Sequence, residues 1–249
     1  MNEQFHVRRV RIGRHRGMRS AERLHGPGRG FTLIELLVVI AIISLLLAIV
    51  LPSFQSARKQ ARDTRCLTQL RDVFLATQMY INEERRLPPL NNDPNEGSWQ
   101  YNYLIYDGRD YDQCFGPLAQ PNGPIKATQI LYCPVQQDPY HMFANSLNPW
   151  PAVPNVDTRA GYSRRYGLTG KSLTEFRSVI AFAADLIQEP KFINETGHLT
   201  GVNVVYTDGH GKFVRDTGFL TDNSLSHPFD PIDNPVMKDI WDKLDDRGR

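Results

Sequence analysis

Hydrophobic and polar residues follow three distinct regimes along this chain. From Leu36 to Leu51 every residue except Ser44 is strongly apolar, and Phe31 to Leu33 lengthen the run until it can cross a bilayer's hydrocarbon layer as one helix. Beyond Pro52 the pattern becomes periodic. Leu67, Leu70, Phe74, Ala76 or Thr77, and Ile81 recur near helical spacing, arginines fall between them, and no glycine or further proline intervenes before residue 88. Together these regimes predict a rod from Phe31 to about Glu84, about 80 Å long at 1.5 Å per residue, weakened at Pro52, which lacks an amide proton.

The third regime starts at RRLPPLNNDPNEGSWQ, whose prolines and asparagines end the helix. Short strands are predicted at Gln100 to Tyr106, Thr128 to Cys133, Ser178 to Ala184 and Val202 to Tyr206, between loops rich in Pro and Gly. The clearest pairing is a hairpin. Val202, Val204 and Tyr206 alternate, Asp208-Gly209 suits a tight turn, and Lys212 to Val214 returns as the partner. The expected fold is α+β, with a long amino-terminal transmembrane helix packed against a small antiparallel-sheet head. Five segments are delimited: 1–30, 31–52 within the membrane, 53–84 amphipathic, an α+β head over 85–219, and a polar tail over 220–249. In the tail VMKDIWDKL is either a terminal helix packed through Ile240, Trp241 and Leu244 or part of a free tail.

Charge separates the first segment from the rest. The chain has 29 basic and 27 acidic residues; eight arginines and two acids lie before Phe31, leaving 21 and 25 for the remainder. A basic stretch directly before an apolar span stays in the cytoplasm and orients the span, which places the head outside it. The mature part is net acidic, and its clearest basic cluster, Ser163-Arg164-Arg165, is short, so no nucleic-acid partner is expected. Arg58, Lys59, Arg62 and Arg65 read as a solvated face near anionic lipid heads or acidic patches on neighbours.

Glu35 is the one carboxylate in the apolar run. It either sits at headgroup depth with no further role, or it pairs with an amino terminus created by cleavage after Gly30, the Phe31 amine of a neighbouring copy.

The string GFTLIELLVVIAIISLLLAIVLP resembles the amino-terminal signature of type IV pilins and of type II secretion pseudopilins. The resemblance implies that a prepilin peptidase cuts after Gly30, that Phe31 is N-methylated, and that Glu35 is needed for assembly. The leader begins at Met1, or at Met18 to give MRSAERLHGPGRG. A second resemblance lies in the head: His198, nine residues, then Asp208-Gly209 is similar to the closing motif of pilin-like proteins abundant in planctomycete-type bacteria, where the motif's role is unassigned. LYCPVQQDP, VIAFAAD and CLTQLRDVFLATQMY fit the same group.

Among candidate sites, Cys66, Cys114 and Cys133 are an odd set in a compartment that permits disulfides. Cys114–Cys133 closes a head loop and Cys66–Cys133 ties the helix to the head; the resemblance favours the second. His198, Asp208 and His210 are a weak metal set, and Asp208 has an ordinary task as a turn residue. Asp107, Asp110 and Asp112 offer oxygens for calcium but depart from EF-hand spacing, so a solvated acidic loop is preferred and no cofactor is expected. Trp99, Tyr101, Tyr103, Tyr106 and Tyr111 suit packing across a sheet. No HExxH, paired CxxC or spaced Cys/His dyad is present, and a hydrolase built on His198 and Asp208 lacks a third partner.

The expected function is therefore a non-enzymatic, single-pass inner-membrane subunit of a pilus-like or pseudopilus-like filament, with an extracytoplasmic or periplasmic head. Its partners are the prepilin peptidase, membrane lipid, and copies of itself and other pilin-like subunits. The alternative is a membrane-tethered binding module that does not polymerise.

Overall fold

A computed structural model describes residues 31–90, 102–168, 170–220 and 235–248. The leader with Met18 and Gly30, the first part of the Gln100 to Tyr106 strand, Trp99, Tyr101 and most of the polar tail lie outside the described residues. The chain divides into two compact units, Met1–Leu51 and Pro52–Arg249.

Helix α1 runs over Leu33–Glu84 and contains Pro52. In the first unit its side chains are exposed throughout, among them Ile34, Leu36, Leu45 and Ile49. This stretch has the length and composition to cross a membrane.

In the second unit α1 turns amphipathic, burying Cys66, Gln69, Leu70, Val73, Phe74, Ala76, Thr77 and Ile81. It ends where Arg85 takes a φ of 62° and its amide bonds the Ile81 carbonyl, a left-handed termination. The remaining elements are β1 (Leu104–Asp107), α2 (Gly116–Ala119), β2 (Asp157–Arg159), β3 (Tyr162–Arg164), β4 (Ala181–Asp185), α3 (Pro190–Asn194), β5 (Gly201–Tyr206), β6 (Gly211–Arg215) and α4 (Pro235–Gly248). Strands β1 and β2 pair as an antiparallel ribbon, and β3-β4-β5-β6 form an antiparallel sheet in chain order.

The sheet is covered on both faces. Phe182, Ala183 and Val205 join Cys66, Leu70, Val73 and Phe74 of α1 in one cluster, while Ala181, Ala184, Val202, Val204 and Tyr206 join Met237, Ile240, Trp241 and Leu244 of α4 in the other. The period-2 alternation of β5 thus divides its side chains between two helices. A register shift between Ala181 and Ala183 lets Phe182 and Ala183 both serve the α1 side. Each large side chain buried here contributes about 1.5–3 kcal/mol.

Several expectations need correction. Thr128 to Cys133 is not a strand: Thr128–Leu131 is a 3-10 turn, in which Ile130 N donates to Ala127 O and Tyr132 N to Gln129 O. A short apolar run between prolines is buried here without entering a ladder, a case periodicity cannot separate from a strand. The strand expected from Ser178 starts at Ala181, and the one expected up to Tyr106 covers Leu104–Asp107. The Ser163-Arg164-Arg165 cluster is no basic surface, because Ser163 and Arg164 are buried in β3 and Arg165 pairs with Asp242 and Asp245 of α4. Of the two readings of VMKDIWDKL, the packed helix is the one observed.

Candidate functional site

The first site lies at the start of α1. Thr32 donates from N and Oγ1 to Glu35 Oε2, at 2.8 and 2.7 Å, and Glu35 N points back at Thr32 Oγ1 at 3.3 Å. This reciprocal arrangement is a capping box, which satisfies amides that a helix start leaves without partners and sets a carboxylate at the positive end of the helix dipole. Glu35 therefore has a local reason to sit where it does. Phe31, Ile34, Val38 and Val39 flank it on one open, apolar face.

The second site is buried in the head and centres on His198, only 3% exposed. His198 Nδ1 lies 2.6 Å from Asp63 Oδ1 of α1. Its Nε2 faces Asp185 Oδ2 at 3.2 Å, Asn203 Nδ2 at 3.1 Å and Cys133 Sγ at 3.3 Å. Asp185 Oδ2 also accepts from Asn203 N and Nδ2, at 2.6 and 3.0 Å. Burial pushes the Asp185 carboxyl above its ordinary range, against the opposing pull of His198 and the Asn203 bonds. Cys133 is bonded to Cys66, and Cys114 is a free, buried thiol whose pKa burial raises to about 12. The Cys133/His198 proximity therefore supplies no nucleophile, since the sulfur is already spent in a disulfide.

Asp208 and Gly209 are not part of this cluster; six residues of β5 lie between His198 and the hairpin turn. Asp208 Oδ1 accepts from His210 N at 3.1 Å and meets His210 Nδ1 at 2.6 Å, and the His210 ring stacks on Tyr206 at 4.2 Å. Gly209 has a φ of +87°, and a Cβ there would lie 3.0 Å from Phe74 Cε1. The two ends of the motif thus act separately on α1: His198 reaches Asp63, and the Asp-Gly turn lies against Phe74.

Asp107, Asp110 and Asp112 are close together and serve their own loop. Asp107 Oδ1 accepts from the amides of Arg109 and Asp110, and Asp110 Oδ1 from that of Asp112. Burial, then the neighbouring Asp110 and Asp107, raise Asp112 to about 6. Tyr106 packs on Tyr111 at 4.9 Å and Tyr111 on Trp150 at 6.5 Å, while Tyr103 meets His141 at 4.9 Å. Asp63, Asp185 and Asn203 were missed from the sequence. The one available signal was that Asp185 ends the apolar run AFAAD, where a buried carboxylate needs a partner.

A long apolar amino-terminal helix and a small antiparallel-sheet head are consistent with a pilin-like α+β fold. Residues 28–51 match the prokaryotic N-terminal methylation motif. The chain is similar to the type IV wide pilus major component PilA4 of Thermus thermophilus, 50% identical over 52 residues that make up 21% of this chain and 40% of that protein. It is also similar to the type IV major pilin protein PilA of Myxococcus xanthus, 32% identical over 87 residues, 33% of this chain and 39% of that one. The chain thus spans about two-fifths of the length of these curated relatives. No solved structure matches it. The chain carries a prepilin-type processing and methylation signal on a helix fit to span a membrane, and neither the motif nor the relatives' names describe a catalytic domain.

Proposed function

We propose that the chain is a structural subunit of a pilus-like or pseudopilus-like filament, inserted in the inner membrane by α1 and processed by a prepilin peptidase between Gly30 and Phe31. The observation that carries this reading is the methylation motif over residues 28–51, with Glu35 held at the helix start among exposed apolar residues. The new Phe31 amine of one copy pairs with Glu35 of the next, and apolar contacts between the spanning helices supply most of the association energy. The eight arginines before Phe31 favour a cytoplasmic leader and an extracytoplasmic head, where the Cys66–Cys133 bridge suits an oxidising compartment. The His198 and Asp208-Gly209 positions support membership in the pilin-like group that closes on this motif, with a structural role for both ends.

The test is the amino-terminal sequence and mass of the native protein from membranes, beside a strain with an inactive prepilin peptidase. A chain starting at N-methylated Phe31, and absent from that strain, supports the proposal. An uncut chain overturns it. Crosslinking in membranes then separates filament subunit from tethered head: E35A abolishes self-association in the first case and leaves a ligand-binding monomer unchanged in the second.

A further inference from the structure

The cluster around His198 is arranged as more than a lock. Cys66 of α1, Cys133 after the 3-10 turn, Asp185 at the end of β4 and His198 before β5 are all buried, and one ligand atom of each lies within 4.8 Å of the others. Sulfur, nitrogen and oxygen in this combination suit a borderline divalent cation such as zinc.

Three further observations point to an ion. His198 turns Nδ1 to the Asp63 carboxylate at 2.6 Å, which directs Nε2 toward Cys133 and Asp185. This is how metal-binding imidazoles are oriented, with the second ring nitrogen held by a carboxylate. Asp185 Oδ1 is buried and has no hydrogen-bond partner among the described residues, although Oδ2 is saturated by Asn203. Beside these groups lies a cavity of about 10 Å³, lined by Cys133, Asp185 and His198 with Gly161 and Gly201, about the space of one water-sized particle.

The distances agree. Bonds of about 2.3 Å to sulfur and 2.0–2.1 Å to nitrogen at a tetrahedral angle set those atoms about 3.5 Å apart. Cys133 Sγ and His198 Nε2 are separated by 3.3 Å, and the Asp185 carboxylate, whose open oxygen is Oδ1, comes within 3.2 Å of Nε2 through Oδ2. The two sulfurs, bonded to each other here, must move apart, to about 3.7 Å by the same geometry, and reduction permits that.

We propose that the dithiol form of this chain binds one zinc-class divalent cation through Cys66, Cys133, Asp185 and His198, with Asp63 as the positioning residue for His198. Binding converts two thiols to thiolates and releases two protons as two metal–sulfur bonds form. The disulfide form is the alternative state of the same joint. An envelope protein disulfide oxidises the metal-held dithiolate: its S–S bond breaks, it takes up two electrons from the two sulfurs and two protons from solvent and leaves as a dithiol, and the Cys66–Cys133 bond forms as the cation departs. A dithiol reductant runs the exchange backward.

The experiment uses the full chain in detergent, reduced anaerobically with a phosphine that does not bind the metal appreciably, and then supplied with zinc or with cobalt as a spectroscopic probe. The expected result is one ion per chain, two protons released per zinc, and the thiolate and tetrahedral bands of cobalt, all absent from the oxidised chain. H198Q and D185N should weaken zinc binding at least tenfold, D63N 10- to 100-fold, and C114S should leave it unchanged. If reduction loosens the metal-free chain, zinc must restore its near-UV circular dichroism. A reduced chain that binds no stoichiometric ion, folded or not, overturns the proposal. So does undiminished affinity in H198Q and D185N.

Discussion

Replacing Gly209 by alanine tests whether the hairpin turn is fitted to α1. The φ of +87° is one that an L residue with a Cβ adopts at a cost of about 1–2 kcal/mol. The new methyl would also lie 3.0 Å from Phe74 Cε1. Phe74 has nowhere to retreat: it is 4% exposed and packs edge-on to Phe182 with ring centroids 5.4 Å apart. Overpacking of this kind costs about 1–3 kcal/mol. The two terms sum to about 2–5 kcal/mol, which for a folded unit of this size lowers the melting temperature by about 4–20 °C. Thermal unfolding of the detergent-solubilised chain, followed by near-UV circular dichroism, measures it. The same substitution in an F74L background should lose the steric part and retain only the backbone part, a coupling that a double-mutant cycle isolates. An unchanged melting temperature in G209A would refute the turn argument, and an equal loss in both backgrounds would refute the contact with Phe74.

Other measurements reach other parts of the head. His141 is held neutral, its pKa lowered to about 3 by burial and by the cations of Arg159 and Lys191, against the Ala160 carbonyl 2.7 Å from its Nδ1. Because the unfolded chain takes the proton near pH 6.5 and the folded chain does not, stability is complete above that pH and declines as pH falls through the window toward 3, by at most about 1.4 kcal/mol per unit. Urea midpoints at pH 7, 5.5 and 4 should show that decline, and H141Q should flatten it. Cys114, buried and with its pKa raised to about 12, should resist alkylation at pH 8 in the native chain and yield one labelled thiol after unfolding; rapid native labelling would contradict its placement. Trp241, fully buried against the sheet, should cost about 3–5 kcal/mol when truncated to alanine, read as a lower urea midpoint, and a loss under 1 kcal/mol would mean that α4 does not cover the sheet.

What could be read from the sequence depended on how locally each feature is encoded. The apolar run, Glu35 and the stripe through Leu70, Phe74 and Ile81 are matters of spacing within one helix, and α1 runs over Leu33–Glu84. The Val202 to Tyr206 hairpin was visible for the same reason, since its turn and both strands are contiguous. Asp63 and Asp185 were not visible, because each gains its meaning from His198, 135 residues from the first in the chain. Arg164 looked like surface charge because arginine is seldom buried, yet it is enclosed at 1% exposure with Nη1 on the Cys114 carbonyl at 3.3 Å. Composition cannot foresee such an exception. Nor could it tell that Thr128–Leu131 would close its hydrogen bonds within a 3-10 turn.

The joint at Cys66 has a mechanical consequence. Along α1, from its apolar end, Cys66 precedes Leu70, Val73, Phe74, Ala76 and Ile81 in the row of residues buried against the head. Apolar contacts under a peeling load give way one at a time, each rupture passing the force to the next. Here the first apolar position, just behind the Asp63–His198 contact, is riveted to Cys133 by a covalent bond, so a tug on the helix that breaks that contact is borne by the bridge before the softer seam behind it is stressed. The chain can therefore be hauled by its helix without its head being unzipped.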